Sequence, residues 1–341
     1  MEVRDPLRRS AANIWASLAV SVLVVGAAAS AHGQSSPWSA KPPLAWSRAS
    51  SAVADATTGE VVVTKHLPGP ALWKVTKGDA QVFILGAATP LPHMLQWDTL
   101  RLENALNGAD ALYLEPRPSL SPMELMRLAV NRAPLELAGG QTLETVLPPR
   151  EKERFTRMMV TIHGKAQTYD RLKPAIAGLF LIADFRKAAG LSEGKPGTTV
   201  MHLAEDAHVP VKSVGDFRLD PFVDTASRLS MADNIACFDA AMDDIDQEAV
   251  HGRVMAEAWA KGDLKTVGET YKASLLTSCL MRIPSVQKLL DRGTDQGVQT
   301  VQAALIKPGK SVAVVDLNFL LGPRGVLGRL EAAGATVTVP D

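Results

Sequence analysis

Two uninterrupted apolar runs constrain the fold more than any other feature: "VFILGAA" over Val82–Ala88 and "SVAVVD" over Ser311–Asp316. Runs of this length, closed by Gly or Asp, read as strands buried on both faces. They lie near opposite ends of the chain, and the stretch between them has mostly helical spacing. Ser121-Pro122-Met123-Glu124 is a capping box with proline at the first helical position. "RFTRMMV" and "PAIAGLFLIADFRKAA" follow, and their Met and Phe stripes read as core rather than as a cofactor surface. The expected fold is α/β: a central mixed sheet from N- and C-terminal strands, carrying a large helical insertion.

Shorter signals fill in the order. Two β-rich runs flank Lys77-Gly78-Asp79 as a hairpin, and Val61–Val63 reads as a further edge strand. A helix is expected from about Gln96 to Asn107, stopped by Gly108, and "DALYLE" reads as a strand ending at Glu115. "TVMHLAEDAHVPVKSVGD" reads as helix, turn and strand. Two or three helices are expected between Asp220 and Ile306, one of them stopped at Gly262. After Ser311–Asp316 come a loop, a helix and a last strand.

The chain has 341 residues, and its 36 Lys and Arg balance 36 Asp and Glu. That balance excludes nucleic acid as a partner, because phosphate binding needs surplus positive charge. "MEVRDPLRRS" precedes an apolar stretch from Ile14 to Ala29, and Ala29-Ser30-Ala31 is an A-x-A cleavage pattern. Residues 1–31 read as a signal peptide, with an uncleaved anchor as the alternative. Residues 32–68 read as a flexible linker, and 69–341 as the folded domain, with no membrane span once the signal is removed. The expected location is periplasmic or secreted. Only Cys237 and Cys279 are present, 42 residues apart. Export favours a disulfide between them over two separate thiols.

"PALWKV", "VFILGAATPLP", "ALYLE", "TLETVLP", "AWAKGD" and "LLGPRGVLGRLEAAGATVTV" together resemble the TraB/GumN family, whose animal relatives are the Tiki proteases. The resemblance implies that family's fold. It also implies a metal-dependent hydrolase site built from two G-x-x-H motifs and a strand-end Glu. Gly86 and Glu115 keep their places in that pattern, but Thr89 stands at the first histidine. The second motif falls on Asp316-Leu317-Asn318-Phe319, so Asp316 replaces its glycine and Phe319 its histidine. The usual Arg-Asn pair before the final strands becomes Arg292-Gly293. A threonine hydroxyl is a poor ligand for a transition metal, and a phenyl ring has no lone pair.

These substitutions lead to the expectation of an exported, non-catalytic binding protein of the cell envelope, with no cofactor. Its partner would be a peptide, a protein or an envelope component. The alternative is a metal-dependent hydrolase or peptidase with a remodelled site around Glu115, Asp316 and His93. A divalent metal is expected only in that case. His202 and His208 do not have the spacing of paired helical ligands and read as surface residues. Gly322-Pro323-Arg324-Gly325 opens the last helix as a turn.

Overall fold

A computed structural model describes residues 69–340, apart from 116–117, 193, 214–216, 219, 221–222, 224–227, 273 and 322–324. The expected signal peptide, the linker, the Val61–Val63 strand and most of the Gly322–Gly325 turn lie outside the described residues. The strands are β1 (Leu72–Lys77), β2 (Ala80–Ala87), β3 (Leu91–Pro92), β4 (Ala111–Leu114) and β5 (Pro118–Ser119), then β6 (Leu191–Ser192), β7 (Val211–Ser213), β8 (Phe217–Arg218), β9 (Gly309–Asp316) and β10 (Thr336–Thr338). The helices are α1 (Leu100–Leu106), α2 (Pro122–Val130), α3 (Leu143–Val146), α4 (Pro149–Thr161), α5 (Pro174–Ala188) and α6 (Lys195–Asp206). They continue with α7 (Met231–Lys261), α8 (Leu264–Thr270), α9 (Leu275–Leu280), α10 (Pro284–Ala304), α11 (Leu317–Leu321) and α12 (Val326–Ala332).

Six strands form the main sheet in the order β10-β1-β2-β9-β4-β7. β9 sits at its centre, parallel to β2 on one side and to β4 on the other. All six residues from Ser311 to Asp316 are buried, as a parallel strand covered on both faces requires. β1 joins β2 through the tight turn at Gly78 and alternates instead, with Trp73 and Val75 inside and Lys74 and Thr76 half-exposed. One strand departs from the expected plan. β7 comes from the middle of the chain, after α6, and pairs with β4 at the sheet edge.

Three further expectations change in detail. The helix expected from Gln96 begins only at Leu100, because the Asp98 carboxylate accepts the Leu100 N–H and closes a local turn. The loop expected after Asp316 is the short helix α11, opened by the Asp316 carboxylate accepting the Asn318 N–H. His208 lies just beyond α6 in a left-handed conformation, and both it and His202 are exposed.

The molecule has two cores. One surrounds the sheet and includes Trp73, Ile84, Leu85 and Val312. The other lies within the helical insertion and is built on Phe155, Tyr169, Leu181 and Phe238. α7 joins them. It has 31 residues, about 46 Å of helix. Phe238, Ala241 and Ile245 in its first half belong to the insertion core, and Met255, Ala256 and Trp259 in its last turns to the sheet core. It ends at Gly262, whose left-handed backbone lets its N–H bond back to Ala258 and Trp259. Cys237 on α7 and Cys279 on α9 are joined by a disulfide, with a Cα–Cα distance of 5.4 Å.

Candidate functional site

The parallel strands β2, β9 and β4 end side by side, and ligands in such sheets bind beyond these carboxyl ends. β2 ends at Ala87, which pairs with Asp316 of β9, while Glu115 follows the last residue of β4. The topology thus brings Gly86, Thr89, Glu115, Asp316 and Phe319 to one end of the sheet. Gly86 has a packing reason of its own. A Cβ there would lie 2.6 Å from Leu317 Cδ1 and 2.8 Å from the Trp73 ring. Its carbonyl accepts a 2.8 Å hydrogen bond from the Trp259 indole, which ties the end of α7 to β2.

Glu115 and Asp316 are direct neighbours. The Asp316 backbone N–H donates to Glu115 Oε2 at 3.2 Å. Glu115 Oε1 and Asp316 Oδ2 are enclosed and have no hydrogen-bond partner among the described residues. The Glu115 residue as a whole is partly exposed, but this oxygen is not. Gly297 of α10 makes room for it, since a Cβ there would stand 2.9 Å from Oε1. Burial raises the Glu115 carboxyl to about 8, helped by the charge of Asp316 and partly offset by the Asp316 N–H. Burial likewise raises Asp316 to about 7, against hydrogen bonds from Asn318 and Phe319.

A chain of hydrogen bonds runs from this pair to the end of β2. The Asn318 side-chain amide donates to the Tyr271 hydroxyl at 2.9 Å, and that hydroxyl donates to the Thr89 carbonyl at 3.4 Å. Burial, with the nearby Asp316 charge, raises Tyr271 far above the ordinary phenol range, so it stays a neutral donor. Tyr271 and Trp259 were not singled out in the sequence. Trp259 lies in the quoted "AWAKGD", whereas nothing around "GETYKAS" marks Tyr271.

Phe319 is buried with its ring against Gly293 of α10, where a Cβ would come 3.0 Å from the ring tip. His93 is exposed on the turn after β3, its N–H bonded to the Gly190 carbonyl. The structure thus joins Glu115 to Asp316 and leaves His93 apart. The donor set does not fit a transition metal: among the described residues no three His, Cys, Asp or Glu side chains are grouped to hold one.

Beyond the strand ends opens a cleft between the sheet and the insertion. Thr89, Tyr271 and Asn318 form one wall, the middle of α7 forms another, and Arg186 of α5 closes it. A sheet-end cleft bridged by one long helix marks an α/β protein whose two cores meet beside that cleft. The chain belongs to the TraB/PrgY/gumN family, which it matches over residues 71–339. No curated protein and no solved structure matches it significantly.

Proposed function

We propose that this chain is an exported, non-catalytic member of its family that binds a peptide, a protein or a small envelope component in the sheet-end cleft. The contact between Phe319 and Gly293 carries this reading. The resemblance places a histidine and an asparagine at these two positions. Here the ring packs where a side chain on residue 293 would collide with it, so the two departures fit one another. Hydrocarbon occupies the place of a nitrogen ligand, and Thr89 offers only a neutral hydroxyl. Without a bound metal, nothing there lowers the pKa of an attacking water. The Cys237–Cys279 bridge is compatible with an oxidising compartment.

The second reading is a hydrolase remodelled on Glu115, Asp316 and His93. The two unpartnered carboxylate oxygens favour it. Elemental analysis and calorimetric titration with zinc, manganese and cobalt separate the two. Purified wild type is expected to hold no tight metal. Thr89→His with Phe319→His, supported by Gly293→Asn to refill the space beside residue 319, is expected to gain measurable affinity. Neither histidine alone should suffice. Stoichiometric, tightly held metal in the wild type overturns the non-catalytic reading.

A further inference from the structure

Helix α2 is built inside out. Its nine residues are apolar except for Glu124 and Arg127. Glu124 and Leu128 are the two it buries, and Arg127 Nη2 donates to Glu124 Oε1 at 2.5 Å. Met123, Met126 and Val130 are spaced by three and four residues, so they share one face, opposite the buried pair. They are 77 %, 67 % and 84 % exposed. Pro122 and Ala129, also exposed, complete that face, so it presents no polar side chain to water. A surface helix ordinarily does the reverse. Helix α4 of this chain does so, with Lys152, Glu153 and Arg157 at its outward positions.

The rest of the helix holds that face outward. Ser121 Oγ accepts the Glu124 N–H at 3.0 Å, and the Ser121 N–H donates to Asp220 Oδ1 at 3.2 Å, which pins the start of α2. Leu128 anchors its last turn in the insertion core. Size argues against a second protein as the cover. Nine residues of helix are about 14 Å long and about 10 Å wide, whereas a stable protein interface buries about 800 Å² on each partner. The helix is also far short of the roughly 20 apolar residues that cross a bilayer. Charge supplies the remaining constraint. Glu124 is the only acid between Pro118 and Pro134, and it is buried and paired, while Arg127 and Arg132 are exposed in the last turn and just beyond it. Asp220, at the other end, is paired with Arg218. An apolar helix face with cations beside it and its acids already paired matches hydrocarbon beneath anionic headgroups.

We propose that α2 is a docking element that lies flat on the surface of an anionic bilayer. Met123, Met126 and Val130 enter the acyl boundary, and the two arginines stay at headgroup level with their stems along it. Interfacial helices sink by about 5–10 Å and a helix is about 5 Å in radius, so the outward side chains reach the hydrocarbon while Leu128 keeps its place in the core. None of these residues lines the cleft. Docking would therefore hold the protein at a membrane with its cleft unobstructed by α2.

The test is hydrogen exchange of the full chain, alone and with vesicles of phosphatidylcholine or of phosphatidylcholine mixed with phosphatidylglycerol. Exchange reads each segment separately, so anchoring through Ile14–Ala29 is kept apart from docking by α2. The amides of Met123 to Val130 are expected to gain about tenfold protection on the phosphatidylglycerol vesicles and far less on phosphatidylcholine alone, with β2 and β9 unchanged. Met123→Gln with Met126→Gln should abolish that gain without lowering Tm, because both side chains are exposed in the folded protein. Met123→Leu with Met126→Leu should keep it. Arg132→Gln should weaken the affinity for phosphatidylglycerol vesicles about fivefold. An α2 left unprotected on these vesicles overturns the proposal, even if residues 14–29 bind them. So does protection that survives in the glutamine pair. Equal protection on both lipids overturns the anionic assignment, and protection that appears without vesicles as protein concentration rises assigns the face to a second copy instead. None of these results depends on the metal measurements that test the non-catalytic reading.

Discussion

At the end of the sheet, Glu115 and Asp316 are enclosed with one oxygen each lacking a partner among the described residues, whereas in the insertion Asp244 is just as enclosed but both its oxygens accept hydrogen bonds. The difference appears in their acidities. Asp244 is raised only to about 6, because bonds from Ser274, Leu275 and Leu276 offset much of its burial; Asp316 rises to about 7 and Glu115 to about 8. In the insertion a buried carboxylate is a structural part, bracing the start of α9 against α7. At the sheet end two carboxylates are kept although the described fold satisfies them only in part. A buried polar group that the fold does not satisfy points to a role outside stability.

The largest effect should come from the insertion's covalent tie. Replacing both Cys237 and Cys279 with serine is expected to cost about 4 kcal/mol, the chain-entropy value for a loop of this size. Urea unfolding measures the loss, and hydrogen exchange locates it. Protection should fall in α9 and the first half of α7, with β2 and β9 unchanged. Equal loss in the sheet strands would mean that the two cores unfold as one unit, and the regional contrast would disappear.

Asp244→Ala comes next, at about 2–3 kcal/mol, because it leaves the Ser274 hydroxyl and two N–H groups without their acceptor. Asp244→Asn keeps an acceptor and should cost less than half as much. Chemical denaturation of both variants is the measurement. If alanine and asparagine behave alike, the carboxylate is not bracing α9 and the contrast with the sheet end loses its basis.

Much of this architecture was legible in the sequence. The run Ser311–Asp316 identified the central strand, the Ser121–Glu124 box identified the start of α2, and Gly262 the end of α7. Each of these is a local signal read by the backbone itself. What stayed hidden was long-range. β7 was legible as a strand, but its three side chains are all exposed, so no apolar pattern announced that it would join the sheet beside β4. The Tyr271–Asn318 bond joins positions 47 residues apart, and the fit of Phe319 to Gly293 exists only once α10 lies across the strand ends. Periodicity reports which face of an element is buried; it does not report what lies opposite.

The smallest expected effect tests the sheet end itself. Glu115 and Asp316 have raised pKa values in the folded state, relative to ordinary values of 4.5 and 3.8. The fold therefore holds protons that the unfolded chain releases, and its stability is greatest below the unfolded values and declines as pH rises through the folded ones. Between pH 5 and pH 8 the wild type should lose on the order of 2 kcal/mol from this pair, less than the two shifts at full burial imply, because Glu115 as a whole is partly exposed and water relieves part of its burial. Glu115→Gln cannot ionise and keeps an acceptor for the Asp316 N–H, so it should remove its own share of the slope and leave that of Asp316, which burial raises independently. Asp316→Asn should remove the Asp316 share while keeping the acceptor for Asn318. Asp244 provides the internal control. Its smaller shift acts mainly below pH 6, so Asp244→Asn should alter the acidic part of the profile and leave the pH 7 to 8 part intact. Urea midpoints at half-unit pH steps for wild type and the three variants give the answer. A wild-type profile that stays flat from pH 5 to pH 8 would mean that the sheet-end carboxylates are satisfied after all, and the two regions would then treat their buried acids alike.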